Sequence, residues 1–194
     1  MSKFTNSKVV KQNYTLIYYS ALEKLNYQFR EYVIFDTLIR KSKMNDYEKP
    51  KAYLYKYLYL APNTVYNGIK VLEKQNFISE ISDKRISLNY EIVEQFKEEV
   101  ESGGGFIKIY HKHRKELGLS LREYSLLYAF YSLSLKSGFT TAKVKRYEEW
   151  LGIKERDYHR IKDKLLDKGY ILPHQYNKVI VSIEIKNWFD EQKE

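Results

Sequence analysis

The sequence predicts a mainly α chain with small β-hairpins, an α+β fold built as two tandem copies of one module. Three observations carry this expectation. Apolar residues recur at helical spacing, as with Val65, Ile69 and Leu72 between Ala61 and Ile78. β-prone runs with polar turns follow such stretches twice, in FISEISDKRISL and YILPHQYNKVIVSIEI. The two halves also match each other along their length.

The match begins with YTLIYYSALEKLNYQFREYVIF at Tyr14 against FIKIYHKHRKELGLSLREYSLL at Phe106, an offset of 92 residues. It pairs Tyr18 with Tyr110, Leu25 with Leu117, and Arg30-Glu31-Tyr32 with Arg122-Glu123-Tyr124. After one inserted residue it resumes at an offset of 93, pairing Leu58 with Leu151, Leu72 with Leu165 and Ile78 with Ile171. Two blocks in the same order imply a repeated module of about 90 residues. An acidic helical tail runs into Gly103, Gly104 and Gly105, which disfavour regular structure. The expected organisation is domain 1 over 1–102, a glycine linker over 103–105, and domain 2 over 106–194.

In each copy a first helix starts near the Arg-Glu-Tyr triplet, with Val33, Ile34 and Leu38, or Leu126, Leu127, Phe130 and Tyr131, on its apolar face. A second helix is expected over Pro50 to Tyr57 and over Ala142 to Trp150, the latter with Thr140 or Thr141 as its N-cap. After a tight turn comes the third helix, at 61–78 and in KERDYHRIKDKLLDKGYI. Neither third helix has a side-chain cap, since Ala61 and Lys154 hold the cap position. Pro62 in the first turn of one and Glu155 in the first turn of the other compensate in part. Gly68 inside its helix costs about 1 kcal/mol relative to Ala, which points to close packing against a neighbouring helix.

Formal net charge is +9 and pI about 9.3, which suits a polyanionic partner. The tyrosines (20) and the excess of lysine over arginine follow from A/T-rich codon usage. With no cysteine, a disulfide framework and a thiolate metal site are excluded. No apolar run reaches the ~18 residues of a membrane span, and the first residues lack a signal peptide's apolar stretch, so a cytoplasmic location is expected and no membrane partner.

Three helices, the last two joined by a short turn and followed by a hairpin, form the order of a winged helix, a helix-turn-helix variant. WLGIKERDYHRIKDKLLDKGYI resembles the winged helix-turn-helix pattern in which Leu-Gly-aliphatic makes the turn, a recognition helix follows, and Leu-x-x-Lys-Gly-x-Ile leads into the wing. The paired modules, opening with LNYQFREY and LGLSLREY, are similar to DNA-binding proteins of phages and plasmids, including replication initiators and replisome organisers. The resemblance implies two tandem winged-helix domains that bind duplex DNA, with a role in replication initiation. Transcriptional regulation of a mobile element is the alternative, since it needs the same contacts. One departure stands out: Tyr59 occupies the turn position where the pattern has Gly, and a left-handed conformation disfavours such a side chain.

On the first copy's third helix the outward residues are Asn63, Tyr66, Asn67, Lys70 and Lys74, with Thr64 beside them. Asn pairs bidentately with adenine N6 and N7, so Asn63 and Asn67 are candidates for reading A·T steps, with Lys70 and Lys74 on phosphate. The second copy presents Arg156, His159, Arg160, Asp163 and Asp167, with Lys164 alongside. Arg156 and Arg160 suit guanine O6 and N7. Asp163 and Asp167 would repel phosphate, so this face reads with its helix start alone or meets a protein. Lys84 and Arg85 in one wing, and Tyr176 and Lys178 in the other, are placed to hold the backbone or enter the minor groove.

Two other classes compete with DNA binding. His111-Lys112-His113 resembles the paired metal-holding histidines of rolling-circle replication endonucleases, and on a strand the two imidazoles would share a face. Lys112 stands where that family has a bulky apolar residue, and no Tyr-x-x-Lys follows, so no enzymatic activity, catalytic residue, metal or cofactor is expected. A protein-interaction module is the other reading: the tyrosine-rich second helix AYLYKYLYL offers more aromatic surface than a small domain buries, which makes homodimerisation a further option.

Overall fold

The computed structural model describes residues 13–82, 85–102, 104–140, 143–176 and 178–192. Its first half runs β1 (Tyr14–Tyr18), α1 (Tyr19–Lys24), α2 (Phe29–Lys41), β2 (Asp46–Tyr47), α3 (Lys51–Leu58), α4 (Pro62–Lys74), β3 (Ile78–Ile81), β4 (Ile86–Leu88) and α5 (Tyr90–Glu101). The second runs β5 (Phe106–Tyr110), α6 (His111–Glu116), α7 (Leu121–Ser134), α8 (Val144–Leu151), α9 (Glu155–Asp167), β6 (Ile171–His174), β7 (Lys178–Val181) and α10 (Ile183–Glu191). The fold is mixed α/β, mostly helical with small antiparallel sheets, as expected.

The offsets seen in the sequence recur in the elements. Shifting β1 and α1 by 92 residues gives the bounds of β5 and α6, and shifting α3, α4 and β3 by 93 gives those of α8, α9 and β6. Strand pairing follows the same rule. Tyr47 faces Ile86 at the edge of the β2-β4-β3 sheet, and Thr140 bridges Val179 at the edge of the β6–β7 hairpin. Backbone chirality follows it too: Gly118, Gly138, Gly152 and Gly169 have positive φ, and so do Asn26, Asn45, Tyr59 and Asn76. Three of those four substitutes are Asn, the side chain that best tolerates this region after Gly.

β1 and β5 pair as an antiparallel ribbon with Tyr14 opposite Tyr110, Leu16 opposite Lys108 and Tyr18 opposite Phe106. Leu16 and Lys108 are themselves 92 residues apart, so the ribbon is symmetric about a two-fold axis through that pair. The repeated Arg-Glu-Tyr triplet anchors its ends. Tyr18 N donates to the buried Tyr32 hydroxyl at 3.1 Å, and the Tyr110 backbone bonds the buried Tyr124 hydroxyl in the same way.

The helices bury the faces their spacing predicts. On α4, Val65, Gly68, Ile69 and Leu72 are inside, and a Cβ at Gly68 would overlap Ile34 Cδ1 on α2, so close helix packing does account for this glycine. On α9 the inner face is Tyr158, Ile161 and Leu165. Neither helix has a side-chain N-cap. By contrast α7 starts with a full capping box, Ser120 and Glu123 each bonding the other's backbone.

Buried side chains of both halves form one connected cluster. Tyr27 Oη donates to the Glu149 carbonyl at 3.1 Å, and Tyr19 stacks on Trp150 with centroids 5.0 Å apart. In the other direction Arg114 donates through Nη2 to the carbonyls of Leu58 (3.1 Å) and Tyr59 (3.0 Å) and through Nη1 to Leu119 (2.9 Å). Each α3–α4 or α8–α9 turn is therefore held by the opposite half. Gly104 and Gly105 lead into β5, with the Gly105 carbonyl accepting from Tyr19 N; Gly103 lies outside the described residues.

Four expectations need correction. Tyr59 does adopt the left-handed conformation (φ 50°, ψ 43°), matching Gly152 (φ 58°), because Arg114 fixes its carbonyl and the turn is needed to reverse the chain. The second copy's short helix begins at Val144 with Lys143 at its N-cap, while Thr140 is occupied in its bridge to Val179; Thr141 and Ala142 lie outside the described residues. His111 and His113 are on α6 and not on a strand. The tyrosines of α3 are only in part the free aromatic surface expected: Tyr53 stacks on Tyr57, Tyr57 packs against His111, and Lys49 and Lys41 lie over the rings of Tyr53 and Tyr57, whereas Tyr59 just after the helix stays exposed.

Candidate nucleic-acid interface

The outward face of α4 carries Asn63, Tyr66, Asn67, Lys70 and Lys74, all exposed, with Thr64 half-buried beside them. Pro62 opens the helix at a position whose N–H would be unpaired anyway, and the amides of Thr64 and Val65 both donate to the Ala61 carbonyl, at 2.9 and 3.1 Å. Lys70 Nζ sits 4.6 Å from the Tyr66 ring centroid, and this tyrosine, with half its surface exposed, raises the lysine pKa. Among the described residues neither Lys70 nor Lys74 forms an ion pair. The face therefore presents two amides, one ring and two cations outside any salt bridge.

The equivalent face of α9 is different in charge. Arg160 is bound to Asp157 at 3.2 Å, and His159 Nε2 stands 3.8 Å from Glu155. Arg156 is exposed, as are Asp163 and Asp167 farther along. Lys164, expected among the outward cations, turns back: its Nζ donates to both oxygens of Glu123, at 2.8 and 2.9 Å. Burial would push the Glu123 carboxyl up, but the bonds from Lys164 and Ser120 hold it below the usual range. Lys164 thus anchors α9 to α7, and sequence spacing alone gives no sign of this partner 41 residues away.

The hairpins flank these helices. Arg85 bridges Glu80 (3.1 Å) and Asp46 (3.6 Å), tying β2 to the β3–β4 turn, which the bond from Ser82 N to the Arg85 carbonyl closes. Lys84 lies outside the described residues. At the tip of β6–β7, Tyr176 is 88% exposed at φ 56°, while Lys178 is half-buried with its Nζ 4.2 Å from the Phe139 ring. Tyr176 is available to a ligand, and Lys178 less so.

The two histidines of HKH do not converge. His111 Nε2 shares a hydrogen bond with Thr15 Oγ1 at 2.9 Å, whereas His113 Nδ1 meets the Tyr124 hydroxyl at 2.9 Å and its ring stacks on Trp188. Burial brings both pKa values down to about 3, with Arg114 and Arg40 adding to the effect at His111, so both are neutral. Among the described residues no group of three or more His, Asp or Glu side chains is placed to hold a metal.

Sequence reasoning overlooks Arg30, Arg114 and Arg122. The identity of the triplets is a signal for two of them, but from sequence it marks only the start of a helix. A scan against protein-family models and a search of curated proteins both find no match to the chain.

Proposed function

We propose that the chain binds duplex DNA through two tandem winged-helix modules related by duplication, with α4 as the principal groove reader. The observation that carries this reading is the charge and chemistry of α4's exposed face. Asn63 and Asn67 offer bidentate partners for adenine, and among the described residues Lys70 and Lys74 have no salt-bridge partner. On α9 Arg160, His159 and Lys164 are shared with Asp157, Glu155 and Glu123, so it contributes chiefly through Arg156 at its start, with Arg160 only where it exchanges Asp157 for DNA. The wings, with Arg85 and Tyr176, support the backbone on either side. The recurrence of element bounds, strand pairs and positive-φ positions at offsets of 92 and 93 supports the duplication.

Replication initiation for a phage or plasmid is the cellular role this reading favours, on the resemblance of the helix-turn-wing motifs. Selection of bound duplexes from a random pool tests the proposal. Wild-type protein enriches a defined site, and Asn67→Ala costs about 1–3 kcal/mol and relaxes preference at one A·T position. An unchanged preferred sequence in Asn67→Ala would remove α4 from base reading. Bound sites repeated at an origin support replication, whereas an operator over a promoter supports regulation.

A further inference from the structure

Between the halves lies an open cleft of about 490 Å³ whose lining includes Arg30, Arg114 and Arg122 together with Leu60 of the α3–α4 turn. Arg30 and Arg122 open the two repeated triplets, so they are equivalent across the ribbon's two-fold. Their side chains are 38% and 41% exposed. The Arg122 guanidinium lies 5.8 Å from the ring centroid of Phe29, in the opposite half, which brings it to the junction itself.

Both arginines also touch the helices that flank the cleft. Arg30 Nε is 3.5 Å from where a Cβ on Gly68 would stand, against the middle of α4. Arg122 Nη1 is 3.6 Å from Asp157 in the first turn of α9. Beneath them Arg114 is only 5% exposed, and among the described residues it bonds three carbonyls and no carboxylate and keeps an unpartnered Nε. Four acids stand near the cleft, of which Glu23 and Glu149 act on the lining Tyr27. Glu31 is buried behind Arg30 and bound to it, and Asp157 is divided between Arg122 and Arg160.

We propose that this cleft is a phosphate site, in which Arg30 and Arg122 grip the DNA backbone where it passes between α4 and α9. The inference rests on the DNA-binding reading and adds to it a contact outside both reading helices. A guanidinium donates two parallel bonds to phosphate oxygens, a fit an ammonium lacks, and arginine stands at both equivalent positions in a chain where lysine outnumbers it (26 to 8). Phosphate would take over from Asp157 as the partner of Arg122. The buried Arg114 charge adds attraction without a carboxylate of its own to cancel it.

The test uses Arg122→Gln, because its pair with Asp157 is exposed and such pairs contribute about 0–1 kcal/mol, so the variant folds. Wild type and variant are titrated by fluorescence anisotropy against the selected duplex and against a series carrying one uncharged methylphosphonate at each backbone position. Arg122→Gln binds about 10-fold more weakly on every sequence, and its slope of log affinity against log salt is shallower by about 1. One methylphosphonate, between the two protected grooves, weakens wild type by a similar factor and leaves the variant unaffected. Equal affinity and slope for the two proteins overturns the cleft while leaving DNA binding intact, as does weaker binding uncoupled from every methylphosphonate. If wild type binds no duplex in a salt-dependent way, the DNA reading falls and the cleft with it.

Discussion

Residues 59 and 152 occupy the same turn in the two halves, yet the structure gives them different tolerances. Both are left-handed, with φ 50° at Tyr59 and 58° at Gly152. At position 59 the side chain is 40% exposed, so Tyr59→Gly and Tyr59→Ala lose the same packing and differ only in backbone strain. Gly should exceed Ala there by about 1 kcal/mol, against its usual rank. At 152 the same strain applies, and a Cβ would also stand 2.6 Å from Tyr27 Cβ and 2.8 Å from its Cδ1. Overpacking adds about 1–3 kcal/mol, for a total of about 2–4 in Gly152→Ala. In a chain of this size that lowers Tm by about 4–16 °C. Urea unfolding followed by far-UV circular dichroism measures each difference. Tyr27 itself has φ 57°, so Tyr27→Gly is tolerated and removes the obstruction; in that background the penalty of Gly152→Ala should fall to about 1 kcal/mol. If Gly152→Ala costs no more than the Gly-to-Ala difference at 59, Tyr27 does not clamp the opposite turn, and the rigid joining of the halves is wrong.

The remaining predictions concern the supports of that arrangement. Lys164→Met strips the partner from Glu123, whose side chain is 7% exposed, and should cost about 1–3 kcal/mol in urea unfolding at neutral pH; an unchanged midpoint would return Lys164 to the surface. Tyr32→Phe should lose about 1–2 kcal/mol, since it leaves the Tyr18 N–H unpaired, and Tyr124→Phe should lose more, since it also strips the hydroxyl partner from buried His113 Nδ1; a loss at Tyr124 no greater than at Tyr32 would mean that the His113 bond contributes nothing. His111 and His113 have folded pKa values near 3 against 6.5, so unfolding takes up protons, and each contributes stability that is lost as pH falls below about 6.5, at most about 1.4 kcal/mol per pH unit. Burial raises Asp36 to about 6, against the pull of Arg40, and this gives the opposite slope between that pH and its unfolded value of 3.8. His113→Gln should therefore flatten the fall in stability between about pH 6.5 and 5, and an unchanged slope would mean His113 is solvated.

The parts legible in the sequence are those whose signal is local. Val65, Ile69 and Leu72 mark the buried stripe of α4 because a helix brings them onto one side, and Pro62 marks its start. The triplet identity locates α2 and α7. What escapes depends on partners far along the chain. β1 and β5 are five residues each, too short for a periodic signal, and each is completed by a strand 92 residues away. The turn at Tyr59 is stabilised by Arg114, and Lys164 is claimed by Glu123, so neither residue's local context reveals its role. Within the candidate site the α4 face is readable from spacing, but the cleft between the halves is not, because it exists only once the ribbon has joined them.

Salt dependence of binding to a selected duplex tests the DNA-binding reading most directly. If both modules and the cleft engage the backbone, about 6–10 phosphates are neutralised, and affinity should fall about 10³- to 10⁵-fold between roughly 50 and 200 mM salt. An affinity that stays level across that range would contradict it.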